Sequence, residues 1–163
     1  MIIGLFAVDE NGGVGNNGTM PWGPIKEDLQ WFKQITLNQV VVMGKKSWHS
    51  PDMPKPLPKR TNVVISNALA TEIPNAHAVL GGNVPDLLKF VDSEYYNYDV
   101  FVIGGVNILL QAKPVLQKLY ITRIPGTYEA DTRIDLDTFL EGFILINTND
   151  LGTCKVEEYE AIQ

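Results

Sequence analysis

The sequence predicts an α/β chain: a single domain over residues 1–163, built on a central, mostly parallel twisted sheet. An antiparallel C-terminal edge and about four flanking helices complete the prediction. Three observations carry it. Short apolar runs such as Val40-Val41-Val42-Met43 and Val100-Phe101-Val102-Ile103 read as strands buried on both faces. Segments with apolar residues at three- and four-residue spacing alternate with those runs. From Leu116 the alternation stops, and three strand-like stretches follow without helices between them, as an antiparallel edge requires. A length of 163 residues with 45% hydrophobic content suits one domain with a substantial core.

In chain order, residues 2–8 read as a buried strand and Asp9–Pro24 as a Gly/Asn-rich loop. A helix follows over about 25–36, then the strand Val40–Met43 and a short helix from Lys45. Pro51, Pro54, Pro56 and Pro58 stiffen a loop before the strand Asn62–Ile65. Ala76–Leu80 is a short strand. Val84–Glu94, with Leu87, Leu88 and Val91 on one face, is a helix. Val100–Ile103 is a strand and Asn107–Lys113 a helix that Pro114 ends. Strands at about 116–124, 142–147 and 153–160 close the chain.

Composition narrows the function classes. No stretch approaches the roughly 20 apolar residues of a membrane span. The apolar opening has no basic start and meets Asp9 too early for a signal peptide. The single cysteine, Cys154, allows no internal disulfide and fits a reducing compartment, so a cytoplasmic protein is expected. A net charge of −6 argues against general nucleic-acid binding and, by self-repulsion, for a monomer. Within this acidic chain Lys45, Lys46, Lys55, Lys59 and Arg60 cluster in one stretch where Asp52 is the only acid. Such a cluster is either a solvated face or a site for an anionic small molecule. His49 and His77 have no partners at ligand spacing, so no metal site is expected.

Asp28 is the informative acid. Ile25, Leu29, Phe32 and Ile35 form one apolar helical stripe, and Asp28 falls on it. A carboxylate buried in apolar surroundings is costly unless something pairs with it. Two readings follow: an acid at the solvent edge of the first helical turn, where the helix dipole suits it, or a site for a ligand cation or proton transfer.

Two glycine patterns mislead. Gly13-Val14-Gly15-Asn16-Asn17-Gly18 fits G-x-G-x-x-G, but no strand directly precedes it and no helix directly follows, so it reads as a mobile flap. Gly44-Lys45-Lys46-Ser47 lacks the glycine spacing of a phosphate-binding Walker loop. The strand-to-helix corners at Gly44 and at Ile103-Gly104-Gly105-Val106 nevertheless form a plausible dinucleotide cleft.

Taken together the segments resemble the dihydrofolate reductase family. The carrying motifs are Val14-Gly15, Met20-Pro21-Trp22, Asp28-Leu29-x-Trp31-Phe32-Lys33 and Val42-Met43-Gly44-Lys45-Lys46-Ser47-Trp48. Pro56-Leu57-Pro58-x-Arg60-x-Asn62-Val63-Val64-Ile65-Ser66, Ile103-Gly104-Gly105, Leu119-Tyr120-Ile121-Thr122 and Ala130-Asp131-Thr132 complete the series. The resemblance implies NADPH-dependent reduction of 7,8-dihydrofolate, with antifolates such as methotrexate or trimethoprim as further ligands. It implies a catalytic centre at Asp28, Thr122, Trp22 and Met20. Leu5, Phe6, Ala7, Leu29, Phe32 and Ile103 would wall the pteridine slot, Leu57 the benzoyl group, and Arg60 would take the glutamate carboxylate. Ala7, Val14, Gly15, Thr19, Met20 and Ile103 would surround the nicotinamide. Gly44, Lys45, Lys46 and Ser47 would hold phosphates with Gly104, Gly105, Val106, Asn107 and Ile108. Ser66 and Asn67 would face the 2′-phosphate with Lys45, and Asp131 would latch the flap through a backbone amide near Gly15.

Three positions depart from the family pattern: Val106 where a third glycine is frequent, Leu109 where an aromatic is common, and Ala130 before the latch acid. The rival readings are another NADPH reductase of this fold, of the riboflavin-pathway type, and a non-catalytic assembly protein. Asp28 with Arg60 argues against the first. The intact acid and phosphate corner argue against the second.

Overall fold

Strands buried on both faces must carry apolar side chains at every position, and alternate positions then feed two separate cores. The computed structural model, which describes residues 1–67 and 72–162, is built this way. In chain order its elements are β1 (Ile2–Val8), β2 (Gly13–Gly15), α1 (Lys26–Thr36), β3 (Val40–Gly44), α2 (Lys45–Trp48), β4 (Thr61–Ile65) and β5 (Ala78–Leu80). There follow α3 (Val84–Glu94), β6 (Val100–Gly104), α4 (Val106–Ala112), β7 (Lys118–Arg123), β8 (Thr132–Arg133), α5 (Leu136–Phe139), β9 (Phe143–Asp150) and β10 (Lys155–Ala161).

Eight strands form the main sheet in the order β5-β4-β3-β6-β1-β7-β10-β9. Pairing is parallel from β5 through β7 and antiparallel between β7 and β10 and between β10 and β9. On one face Ile2, Val8, Val40, Val42, Val63, Val100 and Val102 pack with Val84, Leu88 and Val91 of α3 and Leu109 of α4. On the other, Ile3, Leu5, Val41, Met43, Val64 and Phe101 pack with Trp48 of α2 and with Trp31, Phe32 and Ile35 of α1. Helix α1 therefore covers the face that also carries Ala7, Ile103 and Thr122, because those positions share the parity of Leu5, Phe101 and Tyr120. At Gly4 a Cβ would lie 2.7 Å from Leu119 Cδ2, so this glycine permits the close packing of β1 on β7.

The structure corrects several expectations. Five α-helices are present among the described residues rather than about four, the additional one being α5. Four residues are too few to show periodicity, and the helix is set by its cap: Asp135 accepts the Thr138 N–H. Helix α4 starts one residue early, at Val106, and Pro114 does not stop the chain turning. It sits in a 3-10 turn, Lys113–Val115, where a missing N–H does no harm. The loop from Asp9 to Pro24 is not featureless, since β2 pairs antiparallel with β8. Strand β5 is shorter than expected, because His77 uses both its N–H and its Nδ1 on the main chain of Asn62.

The turn after β1 is held by an acid for which the sequence reading had no structural role. Asp9 is 2% exposed. Its Oδ1 accepts the N–H groups of Asn11 and Gly13, both at 2.8 Å, and its Oδ2 accepts that of Tyr128 at 3.0 Å. Burial alone would raise its pKa. The three backbone donors, helped by Arg133, outweigh burial and lower it. A Cβ at position 13 would fall 2.7 Å from Oδ2, so Gly13 is part of the arrangement.

Asp9→Ala should lose about 3 kcal/mol of stability at neutral pH, a melting temperature lower by about 6–12 °C. Because the folded pKa is depressed, this contribution is present above the unfolded carboxylate value of about 4 and is lost as pH falls through the folded value. Thermal melts of parent and variant at pH 7 should therefore differ widely and converge in strong acid. A constant gap at all pH values would assign the loss to packing instead.

Candidate active site

Helix α1 begins without a side-chain cap at Ile25, after Pro21, Gly23 and Pro24 turn the chain onto the sheet. Its first turn carries Asp28, which is only 8% exposed. The Thr122 hydroxyl, buried on β7, donates to Asp28 Oδ1 at 2.8 Å. Thr122 is the register neighbour of Ala7 on β1. Desolvation raises the Asp28 pKa, opposed in part by the Thr122 bond. The β9–β10 turn closes the rear of this corner, with Thr153 Oγ1 donating to Glu27 Oε2 at 3.0 Å. Burial pushes the Cys154 thiol pKa up there, and the charge of Asp28 adds to the effect.

The apolar walls are incompletely covered. Leu5 is buried, Ala7, Phe32 and Ile103 are half-buried, and Leu29 is 42% exposed although it lies on the stripe. Those side chains gather where α1 meets the carboxyl ends of β1 and β6. Phe6 does not belong with them. Its ring lies on the opposite face, edge-on to Phe139 of α5 with centroids 5.6 Å apart, so its side chain does not face α1. The two-residue strand period explains the correction: Leu5 and Ala7 cannot share a face with Phe6.

At the other end of α1, Thr36 Oγ1 accepts from Arg60 Nη1 at 3.2 Å, and Arg60 Nε donates to the Pro58 carbonyl at 2.9 Å. From Asp28 to Thr36 the helix advances about 12 Å at 1.5 Å per residue. Arg60 is 7% exposed and has no carboxylate partner among the described residues. Burial lowers its pKa, yet a guanidinium keeps its proton at neutral pH. Buried Asn62 shapes this end. Its Oδ1 accepts the Leu57 N–H, and its Nδ2 donates to the Leu57 and Arg60 carbonyls. Thr36 and Asn62 escaped assignment in the sequence reading, although a polar residue beside Val63-Val64-Ile65 was the available signal.

The flap carries Val14 and Gly15 on β2, then a tight hairpin in which Asn16 and Thr19 exchange backbone bonds at 2.9 and 3.0 Å. Asn17 at φ 51 and Gly18 at φ 76 supply the two left-handed residues such a turn demands. Asn17 N–H donates to Asp131 Oδ2 at 2.8 Å, and the Asp131 N–H donates to the Gly15 carbonyl at 3.1 Å. Met20 follows half-buried. Trp22 packs edge-on to Tyr128 at 6.2 Å, and its buried Nε1–H has no hydrogen-bond partner among the described residues.

The two glycine corners meet. Met43 pairs with Gly104 across β3 and β6, and a Cβ on Gly44 would fall 2.9 Å from Ile108 Cγ1. Gly104 adopts φ 137, with Ser47 Oγ 3.2 Å from where its Cβ would be. Helices α2 and α4 both start here without side-chain caps. Ser66 and Asn67 follow β4, whose Ile65 neighbours Gly44. Lys45 is exposed, 3.6 Å from Glu72, and Lys46 and Asn107 are exposed on their helices. Val106 packs against the α3-side core.

The dihydrofolate reductase family model matches residues 1–158. Dihydrofolate reductase type 8 of Escherichia coli is 32% identical over 143 residues, which cover 85% of this chain and 83% of that protein. The dihydrofolate reductase of Sus scrofa is 32% identical over 151 residues, covering 83% of this chain and 81% of its own. A solved structure of dihydrofolate reductase from Enterococcus faecalis, complexed with NADP(H) and RAB-propyl, matches with a TM-score of 0.80 at 27% identity, covering 100% of this chain and 97% of that one. A match over nearly the whole length, on a sheet whose carboxyl ends hold an acid–threonine pair beside a two-glycine corner, establishes that the chain belongs to the dihydrofolate reductase family.

Proposed function

We propose that the Asp28–Thr122 pair beside Ala7 is where 7,8-dihydrofolate is held and protonated, and that the corner at Gly44 and Gly104 holds NADPH. The protein itself is an NADPH-dependent oxidoreductase that reduces 7,8-dihydrofolate to 5,6,7,8-tetrahydrofolate. One observation carries the placement: a carboxylate sequestered at 8% exposure, hydrogen-bonded to Thr122, on a cleft wall that is otherwise apolar.

The residues fit the cofactor. Glycine at 44 lets β3 pack close to Ile108, where a Cβ would fall 2.9 Å from Cγ1, and so draws the two corners together; the uncapped starts of α2 and α4 leave N–H groups for phosphate. Lys45, Lys46, Ser47, Gly105, Val106, Asn107 and Ile108 complete that lining, with Ser66 and Asn67 at the adenosine end. Ala7, Val14, Gly15, Thr19, Met20 and Ile103 face the nicotinamide. Bound NADPH supplies a hydride to C6 of the dihydropterin, and N5 receives a proton.

This chain's residues govern that proton. Asp28 binds the pteridine amino group and N3, and its raised pKa suits it to promote protonation of N5 through water. Thr122 fixes the carboxylate orientation, and the Trp22 indole N–H, without a partner among the described residues, is the donor assigned to such a water. Leu5, Ala7, Leu29, Phe32 and Ile103 exclude bulk solvent from the ring, and Leu57 packs the benzoyl group. Arg60, buried without a counter-ion among the described residues, takes the glutamate carboxylate about 12 Å from Asp28 along α1. The flap closes with Asp131 as its latch. We take residues 1–163 to be one domain, working as a monomer in the cytosol; no helix among the described residues is long and apolar enough to cross a membrane.

The direct test follows NADPH absorbance on addition of 7,8-dihydrofolate. Oxidation should occur with dihydrofolate and not with a ribosylated pyrimidine, and the reverse pattern would sink the assignment of the cleft. Asp28→Asn keeps the Thr122 bond but cannot draw a proton toward N5, so kcat at pH 7 should fall by about 10²–10⁴ and recover partly in acid. Stability should move the other way. A raised carboxyl pKa favours the fold below the unfolded value, and that contribution is lost as pH rises through the folded value. Asp28→Asn should therefore melt at or above the parent at pH 8, with the advantage gone at pH 4.

Arg60→Lys keeps the charge and loses the fork that binds Thr36, Pro58 and a carboxylate at once. Methotrexate, which carries a glutamate, should bind at least about tenfold more weakly. A trimethoprim-like diaminopyrimidine and NADPH should bind as before. Equal weakening of all three ligands would make Arg60 a structural residue and misplace the substrate tail.

A further inference from the structure

The one acid in the basic stretch 45–60 is Asp52, and the reduction chemistry leaves it unused. Its Oδ2 accepts the Met20 N–H at 2.7 Å, and the neighbouring Ser50 hydroxyl donates to the Gly18 carbonyl at 2.6 Å. Residues 50 and 52 belong to the loop that leads from α2 to Leu57 and Arg60. The flap tip is thus gripped by the segment that carries the proposed tail site.

The grip is braced on both partners. In the 49–55 loop, the Asp52 N–H donates to Ser50 Oγ at 3.3 Å, while the Met53 N–H and Lys55 Nζ donate to the Ser50 carbonyl at 3.1 and 3.2 Å. In the flap, the Asn16–Thr19 hairpin is closed by reciprocal backbone bonds and by Thr19 Oγ1 donating to the Asn16 carbonyl at 2.8 Å. A closed two-residue hairpin moves as one body, so forces on either flank act on the same piece. One flank is held by Asp131 through Asn17 N–H, the other by Asp52 and Ser50.

We infer that Asp52, with Ser50, is a second latch on the flap and a positioning residue for the reduction: it holds Met20 across the cleft mouth and ties flap closure to the loop leading to Arg60. The inference rests on the proposed site. Its physical content is that the flap closes against two walls. Weakening the second wall lets the flap open more often, which frees product faster and spends less time with the reacting atoms enclosed.

The test uses Asp52→Ala, Asp52→Asn and Ser50→Ala in the full chain. It reads Met20 amide exchange by NMR, the single-turnover hydride rate with deuterated NADPH, and tetrahydrofolate release by competition. Asp52→Ala should raise amide exchange and product release about three- to tenfold and lower the hydride rate by a similar factor, with Ser50→Ala in the same direction. Asp52→Asn retains an oxygen acceptor for the Met20 N–H and should stay near the parent in all three. Unchanged Met20 exchange in Asp52→Ala would show that no latch exists. Faster exchange with unaltered rates would deny it a positioning role. An Asp52→Asn variant as impaired as Asp52→Ala would assign the effect to charge in the basic stretch. If the parent fails to reduce dihydrofolate, the site reading falls, while the exchange measurement still reports on the latch.

Discussion

Strand β1 lies between β6 and β7, parallel to both, and the site hangs from its carboxyl end. From β1 the chain passes through the flap to α1 on one face. From β6 it enters α4 on the other. Connections that leave adjacent strands in opposite directions open a crevice between them, where an α/β sheet binds its ligand. Ala7 and Ile103 sit on the two lips of that crevice. The Ala7–Thr122 register, with the close packing that Gly4 permits, then puts a hydroxyl under the carboxylate of α1. The β1–β7 register thus places the acid's partner beside the apolar wall, and the β1–β6 pairing brings the glycine corner alongside.

The crevice demands two buried charges of opposite sign at the two ends of α1, and neither is comfortable. Among the described residues, Asp28 is desolvated with one side-chain donor, and Arg60 is desolvated with only neutral acceptors. In the proposed assignment, the pteridine amino group and N3–H would donate to Asp28, and the glutamate carboxylate would meet Arg60. The contrast with Asp9 is instructive. That acid is more buried, yet three backbone donors satisfy it and its pKa falls, whereas at Asp28 the single bond does not offset desolvation and the pKa rises. Burial alone does not mark a functional carboxylate. Incomplete hydrogen bonding does.

The main sheet was legible because apolar runs of five to seven residues have few alternatives, and α1 and α3 because their stripes are long enough to show a period. What escaped was short or held by side chains: α5, stabilised by the Asp135 cap, and β2 with β8, which pair across more than a hundred residues of chain. Asn17-Gly18 is a strong local hairpin signal, but it was read within a glycine-rich loop rather than as a turn. At the site, Asp28, Thr122 and the glycine corners stood out through motif order. Asn62 stands inside the Pro56–Ser66 motif and Thr36 in none, yet both shape the surroundings of Arg60 through bonds to protein, a role that motif order does not reveal. At Phe6 the resemblance misleads about the side chain, because parity along β1 turns its ring to the face opposite Leu5 and Ala7.

The hairpin proposed as a flap is held by weak, exposed bonds. None of its contacts buries much surface, and each exposed hydrogen bond contributes about 1 kcal/mol or less. A stable closed lid would trap product, and a free one would leave the cleft wet. A stiff hairpin tip solves this by concentrating small forces on one body: β2–β8 pairing and the Asp9 carboxylate fix its root, while Asp131 and Asp52 meet its flanks. Because Asp9 also binds Tyr128, whose ring contacts Trp22, the root and the far side of the flap share one buried anchor. The strong, fully satisfied carboxylate therefore sits where the loop must not move, and the exposed ones sit where it must.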